Sequence, residues 1–211
     1  MKEHYHPRRE YNAKELNFNE LLPYPMEQFA KWFKIATEIE THEPNAMALA
    51  TTSNGEVSVR YVLLKAHDSD GLIFFSNYES RKSAQIRANP KGAAVFYWPI
   101  LQQQVRVEGD IIILNQEESD EYFNIRPQGS KIGTWASPQS KPIPSREYLE
   151  NLRKEYEKKY SNFRVPRPEF WGGYKLIPSL IEFWQGRPDR LHDRFEYRLK
   201  DGLWKKERLA P

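Results

Sequence analysis

Cysteine is absent from the 211 residues of this chain. There can be no disulfide, no thiolate nucleophile and no cysteine-ligated metal, and a reducing compartment is the natural setting. Long apolar runs are lacking too. Stretches such as residues 111–114, Ile-Ile-Ile-Leu, are far too short for a bilayer, and nothing reads as a secretory leader, so a cytoplasmic protein with no membrane partner is expected. Neither G-x-G-x-x-G nor the P-loop pattern occurs, so any nucleotide-like cofactor is held without a glycine-rich loop. The five histidines, His4, His6, His42, His67 and His192, include no pair at H-x-x-x-H spacing, and no metal is expected. Charge of one sign is also scarce: 32 basic against 29 acidic residues leave a net +3, too mild to argue for nucleic acid.

Aromatic residues are plentiful, at 14% with six Trp and twelve Tyr. They suit a packed β core, a subunit interface or a flat ligand. Residues 1–20 are polar and aperiodic and read as a mobile arm; residues 21–211 read as one domain. Pro25 opens a helix with an apolar stripe of Phe29, Trp32, Phe33, Ala36 and Ile39. Strands follow at AMALATT and EVSVRYVLLKA, joined by Asn54-Gly55, a type I′ turn signal. GLIFFS, a short helix ESRKSAQIRAN, GAAVFYW and QQQVRVEGDIIIL come next, with Gly109 as a bulge or bend. Asn115 and Glu118 form a capping pair for QEESDEYFNIR. GSKIGTWASPQSKPIP reads as a loop, SREYLENLRKEYEKKY as a charged helix, and GYKLI, SLIEFWQ and RFEYRLK as three strands before a turn at Asp201-Gly202 into LWKKERL. Helices are inserted among the strands rather than alternating with them. The expected class is therefore mainly β with peripheral helices, an α+β antiparallel barrel.

Several cations invite anions. Arg60 and Lys65 share one predicted strand and, by strict alternation, point to opposite faces; equally, Arg60 faces solvent and Lys65 ends the strand. Arg81-Lys82 begins a helix, where free N–H groups favour negative charge, yet a basic surface pair looks the same in sequence. Tyr122 and Arg126 lie four apart on one helix face, with Ser130 just beyond, which suits a phosphate monoester; packing and an ion pair to Glu118 or Glu121 suit the residues as well. Gln139-Ser140 lies in a polar loop. Trp184 closes a strand and fits either a stacked ring or a core. Last comes RPDRLHDRFEY at 187–197, where Arg190, His192 and Arg194 are spaced by two and share a side in extended chain. Nearby arginines disfavour an imidazolium, so His192 is expected to be neutral, for hydrogen bonding or proton handling.

Six ordered motifs, RYVLLK, FFSNYESRKSAQI, QQQVRVEG, YFNIRPQGSKIG, ASPQS and EFWQGRPDRLHDRFEY, with ERLAP at the end, resemble the pyridoxamine 5′-phosphate oxidase family from Arg8 to the last residue. The resemblance implies an FMN-binding split barrel, a homodimer with FMN at the subunit interface, and oxidation of pyridoxamine or pyridoxine 5′-phosphate to pyridoxal 5′-phosphate. O2 is the implied acceptor, with release of H2O2, and of NH3 from the amine. Carried over by motif, Arg60, Tyr61, Val62, Leu63, Leu64, Lys65, Phe75, Ser76, Arg81, Lys82, Gln104, Gln139, Ser140, Trp184 and Arg194 are implied FMN contacts. Lys65, Tyr122, Arg126 and Ser130 are the implied clamp on the substrate phosphate. Arg190 and His192 are the implied catalytic pair over the pyridine ring, and Arg8, Arg9, Glu10 and Tyr11 a segment folding over the substrate. Gln103 departs from a frequent arginine, and the connector Gly186-Arg187-Pro188-Asp189 is more rigid and charged than in many members. A flavin reductase of the same fold should lack both the Tyr122/Arg126/Ser130 group and the Arg190/His192 pair; a carrier without turnover is the other alternative.

Overall fold

Residues 10–211 are described by the computed structural model, so Arg8 and Arg9 lie outside the described residues. Helix α1, Pro25–Ile39, starts on proline as expected and buries Phe29, Trp32 and Ala36, while Ile39 turns outward. Asn54 and Gly55 both take positive φ, 52° and 78°, and turn β1 (Ala46–Ser53) into β2 (Glu56–Leu63). A two-residue strand β3 (Ala66–His67), β4 (Leu72–Asn77), helix α2 (Arg81–Ala88), β5 (Lys91–Trp98) and β6 (Gln103–Ile113) follow. Helix α3, Gln116–Ile125, carries the predicted capping box, with Asn115 accepting from the Glu118 N–H and Glu118 from the Asn115 N–H. After α4 (Gln128–Ala136) and α5 (Arg146–Lys159) come β7 (Trp171–Gln185), β8 (Asp193–Lys200) and β9 (Leu203–Leu209).

The strands form one antiparallel sheet ordered β2-β1-β5-β6-β7-β4-β3, with β8 and β9 added beside β7. It curls until β2 comes near β4. β7 is the seam. One edge pairs with β6 throughout; the other is shared between β4 on Trp171–Leu176 and β8 on Leu180–Gln185. The curled interior holds Phe29, Leu49, Phe74, Phe96, Val107, Ile181, Phe183 and Phe195, and a smaller cluster of Phe123, Ile132, Val165 and Trp171 forms under α3 and α4.

Three expectations are corrected. GYKLI and SLIEFWQ form a single strand, because Pro178 falls opposite Gly109 at a β-bulge, where its missing N–H leaves the ladder intact. The stretch read as a loop contains α4, whose core-facing Ile132 and Ala136 supply a helical face that its glycines disguised. The polar arm is anchored from Asn12 onward. The Asn12 and Ala13 N–H groups donate to Gln102 Oε1, Leu16 N–H donates to Asp193, and the Arg187 guanidinium donates to the Ala13 carbonyl.

Candidate active site

A cleft of about 810 Å³ lies between β2, β4, the start of α2 and the α3–α4 corner. Its floor at one end is a cradle of cations. Arg60 donates to the Leu49 carbonyl, Thr51 Oγ1 at 2.7 Å, Ser58 Oγ at 2.5 Å and Gln85 Oε1 at 3.3 Å. Gln85 in turn accepts from the hydroxyls of Thr51 and Ser58, each at 2.7 Å, so one buried amide ties the arrangement together. Lys82 donates to Ser76 Oγ at 2.8 Å and to Gln139 Oε1 at 2.9 Å, which draws the 137–140 segment onto the strand. Burial, then the Arg60 guanidinium, hold the Lys82 amine down to about 8. Burial and Arg81 likewise lower Arg60. Every hydrogen-bond acceptor seen by Arg60 and Lys82 is a neutral oxygen. Two crowded cations with no carboxylate partner among the described residues are a fit for an anion such as the phosphate end of FMN.

The cleft is also lined by Lys65, Tyr122, Arg126 and Ser130. Alternation does not separate Arg60 from Lys65, because the chain leaves the ladder after Leu63; the Lys65 N–H instead donates to Ile73. Both therefore reach the same cleft, while Leu64 between them is buried in the core. Arg126 caps α3 rather than pairing with Glu118 or Glu121. Its Nη1 donates to Thr134 Oγ1 at 2.8 Å, and its guanidinium lies 4.5 Å from the centre of the Trp171 ring. Tyr122 stacks on Phe75 at 4.0 Å, and Phe75 on Trp171 at 5.3 Å. Ser76, Ser140, Tyr61, Val62, Leu63 and Arg81 complete the lining already expected. Sequence reasoning missed Thr134 and Trp171. Thr134 sits on the unrecognised helix; the Trp-Gly-Gly that follows the proline connector was the signal for Trp171, since a Cβ on Gly172 would meet the Tyr78 ring.

Gln104, Trp184, Arg190, His192 and Arg194 do not line this cleft in the single chain. They gather farther along the sheet. Gln104, Trp184 and Arg194 occupy one cross-strand row on β6, β7 and β8. Glu182, two rows away and only 3% exposed, receives Arg106 at 2.7 Å and Arg194 at 2.8 Å. Burial works to raise the Glu182 carboxyl, but hydrogen bonds from Arg194 and Arg106 hold it below the usual range. The extended spacing expected for Arg190, His192 and Arg194 is broken: a 3₁₀ turn spans Pro188–Arg190, with positive φ at Asp189 and Arg190. His192 still meets the group, its ring 4.7 Å from Trp184 and 5.4 Å from Tyr11. The Arg187 backbone N–H donates to His192 Nδ1 at 3.1 Å, which fixes the proton of the neutral ring on Nε2. Burial and the Arg190 cation lower the His192 pKa against the pull of Asp193. Glu10 is exposed at the start of the described chain.

A curled antiparallel barrel with a cation-lined cleft defines a class: small β proteins that hold phosphorylated ligands without a glycine-rich loop. Within it, the family model described as "Pyridoxamine 5'-phosphate oxidase" matches residues 34–157, and that for the "Pyridoxine 5'-phosphate oxidase C-terminal dimerisation region" matches residues 171–211. A pyridoxine/pyridoxamine 5′-phosphate oxidase from Cyanothece is 50% identical over 205 residues, covering 97% of this chain and 96% of the relative. One from Cupriavidus taiwanensis is 49% identical over 206 residues, covering 97% of each. Among solved structures, PhzG from Burkholderia lata, in complex with tetrahydrophenazine-1-carboxylic acid, superposes with a TM-score of 0.89 at 28% identity, covering 95% of this chain and 100% of that one. The chain belongs to the pyridoxamine 5′-phosphate oxidase family.

Proposed function

We propose that this protein oxidises pyridoxamine and pyridoxine 5′-phosphates to pyridoxal 5′-phosphate in the cytoplasm, as part of vitamin B6 metabolism. The observation that carries the reading is one cleft lined by five cations, the adjacent Arg60 and Lys82 with Arg81, and also Lys65 and Arg126. That many cations suit two phosphates, one of a cofactor and one of a substrate. Arg60, Arg81, Lys82, Ser76, Gln139 and Ser140 hold the cofactor phosphate; Lys65, Tyr122, Arg126 and Ser130 hold the substrate phosphate. FMN, when bound, supplies the redox chemistry, taking a hydride from the substrate C4′ carbon and returning electrons to O2 as H2O2. The alcohol consumes one O2; the amine consumes one O2 and one water and releases NH3.

The protein's own contribution is positioning. His192, neutral with its proton on Nε2, offers one hydrogen bond to the ring of the substrate, and Arg190 adds a cation beside it. Tyr11 covers Trp184 and His192 and helps to keep water out. The Gln104, Trp184 and Arg194 row serves the flavin of a second copy. This reading makes the active unit a homodimer with FMN at the interface, each site completed by both chains. It is supported by the match to a dimerisation region over residues 171–211, and by Gln104, Trp184 and Arg194 not lining the cleft of their own chain.

The test is the visible spectrum of the protein with FMN under anaerobic conditions, before and after pyridoxamine 5′-phosphate. Bleaching that air reverses, with peroxide formed, is expected. A flavin that ignores this substrate and bleaches with a reduced nicotinamide would make the protein a reductase. A protein that takes up no flavin would be a carrier at most.

A further inference from the structure

Arg126 is held in a way that the phosphate clamp alone does not require. Its backbone ends α3, and its side chain leaves the helix across the face of Trp171, 4.5 Å from the ring centre. Trp171 is 6% exposed and is wedged between Phe75, at 5.3 Å, and Phe123, at 5.2 Å, so the platform is rigid. On the α4 side, Thr134 Oγ1 accepts from Nη1 at 2.8 Å and donates its own O–H to the Ser130 carbonyl at 2.9 Å. The hydroxyl therefore has one orientation, with its lone pair toward the guanidinium. A planar guanidinium pinned by a ring below and a hydroxyl at one nitrogen lines the cleft in one pose, together with Tyr122 and Ser130. A flexible arginine would have to lose several rotamers on binding, and this one has already lost them.

We infer that Thr134 and Trp171 are positioning residues that preset Arg126 and thereby give the site its preference for a phosphate monoester over the unphosphorylated alcohol or amine. The inference rests on the proposed function for the identity of the substrate, but its geometry concerns any phosphate at this end of the cleft. Neither residue touches the reacting carbon; both act through Arg126.

Thr134→Val and Trp171→Leu, made in the FMN-loaded protein, test it, with Trp171→Phe as the conservative variant. Three readouts are needed: kcat and KM with pyridoxine 5′-phosphate, the Kd of inorganic phosphate as a competing anion, and the Kd of FMN. For Thr134→Val, KM and the phosphate Kd are expected to rise about tenfold, the scale of one hydrogen bond to a charged group. The change in kcat should be much smaller, and the FMN affinity should stay as it was. Trp171→Phe should recover most of what Trp171→Leu loses. In an Arg126→Lys background, Thr134→Val should add nothing further. Unchanged phosphate affinity in Thr134→Val would overturn the inference, as would an equal loss with and without Arg126. If Trp171→Leu fails to fold, Thr134→Val alone decides, since its side chain differs by little in volume. If the wild type binds phosphate but turns over no pyridoxine 5′-phosphate, the functional reading falls, and the phosphate Kd still judges the two residues.

Discussion

Lys82 is the cleft side chain whose charge is most costly to keep. Its amine sits at about 8, below the ordinary 10.5, because it is buried and faces Arg60. A lowered lysine value means that folding favours the neutral amine. The cost is fully present below about pH 8 and fades as the pH rises toward the ordinary value. A bound phosphate reverses this by favouring the ammonium. Binding of FMN near pH 8.5 should therefore take up a fraction of a proton, and affinity should fall as the pH rises through that range. Calorimetry in two buffers of different ionisation enthalpy measures the uptake, and Lys82→Met should abolish it. His192 is the second residue with a readable charge state. Either Arg190→Ala or His192→Ala should lower turnover by roughly 100-fold, the scale of lost positioning and proton handling. Full turnover in the double variant would remove both from the mechanism.

At the scale of elements, the turns and caps were legible because their chemistry is local. Asn54-Gly55 and Asp201-Gly202 adopt the positive φ values that their dipeptides advertise, and Asn115 with Glu118 closes its capping box. What escaped was set by distant partners. Pro178 reads as a strand end until Gly109 of another strand is seen opposite it. α4 carries Gly129 and Gly133 and a weak apolar pattern, and it is helical because Ile132 finds Phe123 and Trp171 beneath it. That Tyr122 and Arg126 share a helix face toward one cleft was legible, whereas the supports of Arg126 belong to α4 and β7. Gly109 leads to a prediction. A side chain there would collide with the Ile177 carbonyl, so Gly109→Val should lower stability by about 1–3 kcal/mol, the range for overpacking, as read from the denaturation midpoint.

For the molecule as a whole, the edge strand β2 leaves Val57, Val59 and Tyr61 72%, 67% and 78% exposed along one face. Alternate apolar side chains on an open edge invite association, and a monomer rarely tolerates them. If a second copy covers this face, Val57→Asp should shift the protein toward monomer in sedimentation and weaken FMN binding at the same protein concentration. The most telling feature is β7. Trp171 at its start lies beside Arg126 in the cleft, and Trp184 near its end lies beside His192. Twelve residues of strand lie between the two tryptophans, a span of up to roughly 40 Å if fully extended. Such a layout has a genetic meaning. If each site takes Arg126 from one chain and His192 from the other, a chain damaged only at Arg126 and a chain damaged only at His192, each inert alone, should rescue one another when coexpressed, because a mixed pair gathers both lesions into one site and leaves the other whole. Random pairing would restore about a quarter of normal output.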